Sequence, residues 1–499
     1  MSTESVAASA LDPTANSKDL LIAEVIAQTD SSAAVAAVID VGLLDEETLP
    51  RYQESRYYPV RIGDVLDDRY EVLGKLGYSA TSTTWLCHDD EDEDYKTVKV
   101  CIHESGITLR EQEAYDHMAG MSTRNPGLFH LRQVKDDFDL TGPTGHEHHC
   151  FVFEPAACNI AQLTERIDGE CNLGLVKWIV RSTLRALDFL HSDAHIIHTD
   201  VKPDNIMLSL EDQDVLEEYV ATLSSDPPRQ KTTESGRVIY ESRELKDLGQ
   251  SRWRLPILTD LGEARIVTDD GEMGLQRPAV VSPPAMRAPE SILGCMFFML
   301  VNGDLLFHNK TGEKAWSGCW HLAQMVALIG RPSPDFLERS EKQTVNCDGS
   351  CAWQDAAGKG LPDMSFEALL NKLGGEECVR ALDFVRCIFK WKPEEWSSVK
   401  ALIAHPFLRT EDEQAESEKR ESLVAQAGEV AEDSDEVVRE HDKEKMGAVA
   451  EKEQEKGAGA KTLTESDFLA NGHHSEMAEC GETTNSDKAV EADLAALKM

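Results

Sequence analysis

The sequence predicts an α+β molecule of two lobes, a small antiparallel β-sheet carrying one helix and then a larger helical lobe. Three observations carry this expectation. From Tyr70 onward, short β-type runs are broken by Gly or acidic turns; after Glu154 the apolar residues fall at helical spacing; and both ends of the chain are too polar to add a core. With 499 residues, 41% of them hydrophobic and only 6% aromatic, the chain can hold two or three ordinary domains or one large two-lobed domain with flexible ends, and part of it is expected to add nothing to a core.

Taken in order, residues 1–55 are rich in Ala, Ser, Thr and Asp and read as a largely disordered N-terminal extension. The small lobe occupies 56–155, with strands expected at Tyr70–Leu76, Thr83–Cys87, Thr97–Ile102 and Cys150–Phe153. Between the third and fourth lies Thr108–Met121, whose Leu109, Gln112, Tyr115 and Met118 are spaced as on one helical face. The larger lobe occupies 156–408. Its clearest helix is Leu175–His191, with Leu175, Ile179, Leu184, Leu187 and Leu190 set against Lys177, Arg181 and Arg185. Ser209–Arg254 reads as a polar insertion and a surface excursion, and 409–499 as an acidic disordered tail.

The formal net charge of -41 argues against general affinity for nucleic-acid phosphates or anionic lipid, which need a Lys/Arg surplus, and suits a basic partner. The 12 cysteines show no paired framework and read as reduced intracellular thiols, and a cytoplasmic and/or nuclear location is expected. Cys347 and Cys351, and the run His146-Glu147-His148-His149, lack zinc-site spacing and are expected to be loops. No basic start followed by an apolar stretch marks a signal peptide. The longest apolar runs, such as Cys295–Val301, stop short of the roughly 20 residues a bilayer requires.

Chemistry concentrates in four places. His198-Thr199-Asp200-Val201-Lys202-Pro203-Asp204-Asn205 sets an Asp five positions before an Asn; Ile257-Leu258-Thr259-Asp260-Leu261-Gly262 ends a strand on an Asp and a Gly. In Tyr95-Lys96-Thr97-Val98-Lys99-Val100, alternation points Lys99 away from Val98 and Val100, and the following helix offers Glu111 first and Glu113 second as its ion-pair partner. Phe151-Val152-Phe153-Glu154-Pro155-Ala156 is a strand that stops at a proline. In this order the motifs resemble those of the eukaryotic protein kinases, and Thr199, where most of that family carries Arg, resembles the SR-protein-kinase group.

The resemblance covers about residues 56–408 and implies a bilobal protein-kinase-like fold that uses ATP and Mg²⁺. It implies that Asp200 accepts the hydroxyl proton of a Ser or Thr substrate, that Lys202 steadies the transferred phosphoryl group, and that Asn205 and Asp260 hold the metal. It places Lys99 and Glu111 at the phosphates, Leu76, Gly77 and Thr84 in the glycine-rich loop, and the Glu154 C=O and Ala156 N–H at adenine. A protein substrate, basic and Arg/Ser-rich, and a monomeric state with no direct nucleic-acid or membrane partner complete what it implies.

The chain departs from the family in several places. Ser79 and Ser82 replace later glycines of the phosphate loop, and Thr84 stands where Val packs on adenine. After Met286-Arg287-Ala288-Pro289-Glu290, Ser291-Ile292-Leu293-Gly294-Cys295 runs straight into an apolar helix without the family's Asp and Trp, and Trp396 replaces the Arg that pairs with Glu290. Drift towards inactivity and loss of an exon both account for this. The alternative function is therefore a catalytically impaired pseudokinase or scaffold that retains nucleotide binding. Thr199 also removes the usual charged partner of a phosphorylated activation loop.

Overall fold

A computed structural model describes residues 42–167, 171–211, 213–245, 253–267, 289–308, 318–338 and 361–409. The small lobe is a six-stranded antiparallel sheet built from β1 (Val65–Leu66), β2 (Tyr70–Tyr78), β3 (Ser82–Asp89), β4 (Asp94–Cys101), β5 (Val134–Thr141) and β6 (Glu147–Phe153), in the order β1-β2-β3-β4-β6-β5. Helix α1 (Gly106–Ala119) follows β4, with the Ser105 side chain accepting from the Thr108 N–H at its start.

The register decides which side chains face the cleft. Thr84 lies opposite Lys99, and Lys99 opposite Phe151, so Val98 and Val100 point to the other face. There they join a core of Val72, Trp85, Cys87, Cys150 and Val152, all at most 2% exposed. Period-2 alternation thus points Lys99 to the cleft while Val98 and Val100 enter the core.

In the larger lobe β7 (Ala156–Asn159) leads into α2 (Ile160–Arg166) and α3 (Leu173–Ser192), the latter capped by Asn172, whose side chain accepts from the Leu175 N–H at 2.8 Å. Leu175, Ile179, Leu184 and Leu190 are buried. The short strand β8 (Ile196–Ile197) precedes the catalytic-type loop, and β9 (Ile206–Leu210) follows it. Further on, α5 (Pro289–Asn302) places Phe297 and Phe298 against Phe384, Phe407 and Phe366, with ring centroids 5.6 to 6.0 Å apart.

Three expectations are corrected. Residues 42–55 are not a featureless extension: Asp45–Thr48 and Glu54–Arg56 form single 3₁₀ turns that deliver Leu44 and Glu46 to the interior, 4% and 1% exposed. Glu46 meets Lys75 of β2 and, at 3.3 Å, Arg237. Ser209–Arg254 is not a mere excursion either. It holds α4 (Asp214–Ser225) and a hairpin of β10 (Gln230–Thr232) and β11 (Val238–Tyr240), and β12 (Trp253–Leu258) returns from it to pair with β9. Leu216, Tyr219, Val220 and Leu223 of α4 pack with Leu73, Leu86 and Tyr95 of the sheet. Finally, Glu147, His148 and His149 lie in β6, where His148 is 2% exposed and its Nδ1 lies 2.9 Å from Cys101 O.

Strand β5 was not foreseen. Its three aspartates, Asp136, Asp137 and Asp139, depress β propensity, yet edge pairing with β6 holds it. Cys347, Cys351, Met286–Ala288, most of the N-terminal extension and nearly all of the acidic tail lie outside the described residues. Among those described, eight cysteines stand outside disulfides, and no helix is long and apolar enough to cross a membrane.

Candidate active site

Strand β4 and helix α1 bring Lys99 and Glu111 together. The Lys99 ammonium donates to both Glu111 carboxylate oxygens, at 2.8 and 2.7 Å, and lies 3.6 Å from Asp260. Of the two candidate partners Glu111 is the one used, because it shares the buried face of α1 with Ala114 and Tyr115 while Glu113 is exposed. Burial pulls the Lys99 pKa down, but the Glu111 and Asp260 carboxylates outweigh it and hold the pKa above its usual value. Lys99 in turn holds the Asp260 carboxyl below the usual range against its own burial, so Asp260 is ionised at neutral pH.

Asp260 sits just after β12 with φ of 67°, and Gly262 follows in a turn against α1. A Cβ on Gly262 would come within 2.4 Å of Ile107, so only glycine allows this close approach. Arg110 locks the same turn, its Nε donating to Gly262 O at 2.9 Å and its guanidinium pairing with Glu263 at 3.0 Å.

The loop between β8 and β9 carries the second half of the site. Lys202 Nζ donates to Asp200 Oδ2 at 2.7 Å, and Asn205 Nδ2 donates to the same oxygen at 3.0 Å and to Asp200 O at 2.9 Å. His198 supports the loop from below. Its Nδ1 accepts from the Asp200 N–H at 3.3 Å and its Nε2 donates to Thr259 O at 3.1 Å, a pattern that fits the neutral ring burial favours. Thr199, at φ of 65°, donates its hydroxyl to Glu263 O at 2.6 Å, so the residue in place of the family's Arg clasps the segment after Asp260.

Thr84, Lys99, Glu111, Arg132, Asp200 and Asp260 line one cavity of about 350 Å³ between the lobes. The donor set fits a divalent cation: the Asp260 carboxylate and the Asn205 amide oxygen are hard oxygen ligands, and the Asn205 NH₂ is already committed to Asp200.

Other expected contacts are placed less directly. Glu154 has an exposed side chain that reaches Lys96 and Lys135 at 3.3 and 3.4 Å, and its backbone oxygen accepts from Arg132 at 3.3 Å. Ala156 pairs with Ser209 of β9. Leu76 does not line the cavity; it packs on the cluster formed with α4, after a register shift between Lys75 and Gly77. Gly77 pairs with Thr84, and a Cβ there would meet nothing within 4 Å, so this backbone does not itself demand glycine. In the loop, Ser79 Oγ lies 3.0 Å from Ser82 Oγ and the Ser79 N–H donates to Ser82 O at 2.8 Å, so the two serines tie the turn together.

Below the loop a second cavity of about 390 Å³ is lined by Leu187, His198, Val201, Leu293 and Trp396, among others. This is where the sequence lacks the family's supporting Asp. Trp396 donates its indole N–H to Lys390 O at 3.1 Å. The Glu290 side chain lies outside the described residues. Arg132 was missed altogether, since a lone Arg before a strand carries no sequence signal.

A protein kinase domain model matches residues 70–217. A serine/threonine protein kinase of Aspergillus fumigatus is 30% identical over 380 residues, covering 73% of this chain and 91% of that protein. The serine/threonine-protein kinase SRPK of Physarum polycephalum is 29% identical over 404 residues, with the same shares. SRSF protein kinase 3 of Mus musculus is 36% identical over 175 residues, 34% of this chain and 30% of that protein.

Proposed function

Because the chain belongs to the eukaryotic serine/threonine protein kinases, as an SR-protein-kinase-like member, we propose that it transfers the ATP γ-phosphate to serines in basic, Arg/Ser-rich protein segments. The single observation that supports this most is the convergence of Lys99, Asp200 and Asp260 on one cavity, with Asn205 hydrogen-bonded to Asp200.

The geometry supports the roles that the resemblance implies. Asp200 accepts the proton of the substrate hydroxyl, held in place by Asn205 Nδ2 and by the His198 ring behind its backbone. Lys202, 2.7 Å from Asp200, places positive charge where the transferred phosphoryl group passes. Lys99, fixed by Glu111, holds the donor phosphates. Asp260 and Asn205 would ligate Mg²⁺, which when bound neutralises charge on those phosphates.

The net charge of -41 supports a basic substrate, and relatives named as SRPK and SRSF protein kinases point the same way. Residence in the cytoplasm or nucleus and a monomeric state belong to the same proposal. The test is phosphate incorporation from labelled Mg·ATP into matched peptides, one with Arg/Ser repeats and one with each Arg replaced by Ala. Preference for the Arg-containing peptide is expected. Equal incorporation into both would leave a serine/threonine kinase without the proposed substrate class.

A further inference from the structure

At the inner corner of the cleft, where β6 gives way to β7, lies a cation that phosphoryl transfer does not use. The Arg132 backbone N–H donates to Leu258 O at 2.8 Å, which fixes the residue beside β12. Its guanidinium lies over the Phe153 ring, with Cζ 4.3 Å from the centroid. From there Nη2 donates to Glu154 O at 3.3 Å and Nη1 approaches Met207 Sδ at 3.4 Å, while Nε is buried with no hydrogen-bond partner among the described residues. A guanidinium offers five N–H donors in a rigid fork, and here they meet one long carbonyl contact and one thioether, a weak acceptor. Burial lowers the Arg132 pKa to about 10, with Tyr115 and Glu111 opposing the fall, so the group is charged at neutral pH. The corner is therefore rich in donors and short of acceptors.

Glu154 O is also the atom that the kinase resemblance assigns to the group on purine C6. Adenine presents there an N6 amino donor beside the N7 acceptor, whereas guanine presents two acceptors, O6 and N7. Forked pairing of Arg with O6 and N7 is the commonest Arg–base match. Beside adenine, one fork N–H would face an amino donor, and that amino group would have to share Glu154 O with Nη2.

We propose that Arg132 selects the nucleobase, giving this phosphoryl-donor site affinity for a 6-oxopurine triphosphate such as GTP alongside ATP. The proposal rests on the phosphoryl-transfer reading of the cleft. A merely structural Arg132, acting as a counter-charge for Glu111, would change the affinity for both nucleotides by the same factor; a base-selecting Arg132 changes their ratio.

The experiment is displacement of a fluorescent nucleotide from the full-length chain by Mg·ATP and by Mg·GTP, for wild type, Arg132→Met and Arg132→Lys. Wild type is expected to bind GTP within about tenfold of ATP, and Arg132→Met to move the ratio towards ATP by about tenfold or more. Arg132→Lys, which keeps the charge but loses the fork, should fall between them. A wild-type preference for ATP above about 100-fold, or a ratio unchanged in a folded Arg132→Met, overturns the proposal and leaves the kinase reading intact. Displacement by neither nucleotide in any of the three proteins overturns both. Should Arg132→Met fail to fold, the wild-type ratio decides alone.

Discussion

Glu111 presents both carboxylate oxygens to the Lys99 ammonium, at 2.8 and 2.7 Å, from a position 1% exposed. The contact ties β4 to α1 and fixes the cation at the mouth of the phosphate site. Removing one partner strands the other charge in the interior, which costs about 3 to 5 kcal/mol. Lys99→Met is therefore expected to lower stability by about that amount in denaturant unfolding and to reduce phosphoryl transfer at least about 100-fold. The double variant Lys99→Met/Glu111→Leu should recover most of the stability and none of the activity. Wild-type unfolding of the single variant would contradict the pairing.

A second buried ion pair lies away from the chemistry. Lys75 and Glu46 are 2% and 1% exposed, and Lys75 also lies 3.0 Å from Asp45 and donates to Tyr240 O at 3.0 Å. The segment ahead of the sheet is thus stapled to the strand that leads into the phosphate loop and to the β10–β11 hairpin. Glu46→Ala should destabilise the fold by about 3 kcal/mol, and deletion of residues 1–50 should do at least as much. Both are read from the denaturant midpoint. If the truncated chain is as stable as the full one, the staple has no energetic role.

Acid sensitivity is expected from His130, which is 1% exposed and whose Nδ1 lies 3.3 Å from Pro256 O. Burial, reinforced by the Arg185 and Arg181 charges, lowers its pKa to about 4, while the unfolded chain titrates near the ordinary value of about 6.5. The unfolded state then binds the extra proton first. The His130 contribution is intact above about pH 6.5 and is lost progressively as pH falls towards about 4, by up to about 3 kcal/mol. Denaturant midpoints measured between these limits should fall more steeply for wild type than for His130→Gln. Parallel profiles would show that the ring titrates normally.

How much of this was legible depends on what kind of signal each residue leaves. Asp200, Asn205 and Asp260 stand in short motifs whose spacing is dictated by one metal-bound phosphate chain, so they can be read without a fold. Glu111 over Glu113 was nearly legible, since helical spacing puts Glu111 with Tyr115 on the buried face. The packing role of α4 was present too, as the apolar stripe Val215, Leu216, Tyr219, Val220 and Leu223, but the polar residues after Ser225 dominated the reading of that insertion. Glu46 and Arg132 could not be found this way. Each is a charged residue made meaningful only by a partner distant in sequence, Lys75 in one case and Glu154 O in the other.

The most direct test of the central claim compares single-turnover phosphate transfer from labelled Mg·ATP to a Ser-containing basic peptide by wild type and by Asp200→Asn. Asn keeps the shape of the side chain and its neighbours but cannot accept the hydroxyl proton, so nucleotide affinity should be within about threefold of wild type while transfer falls by about 100-fold or more. Equal transfer by the two proteins would mean that the carboxylate held by Lys202 and Asn205 is not the base, and the assignment of the site would be wrong.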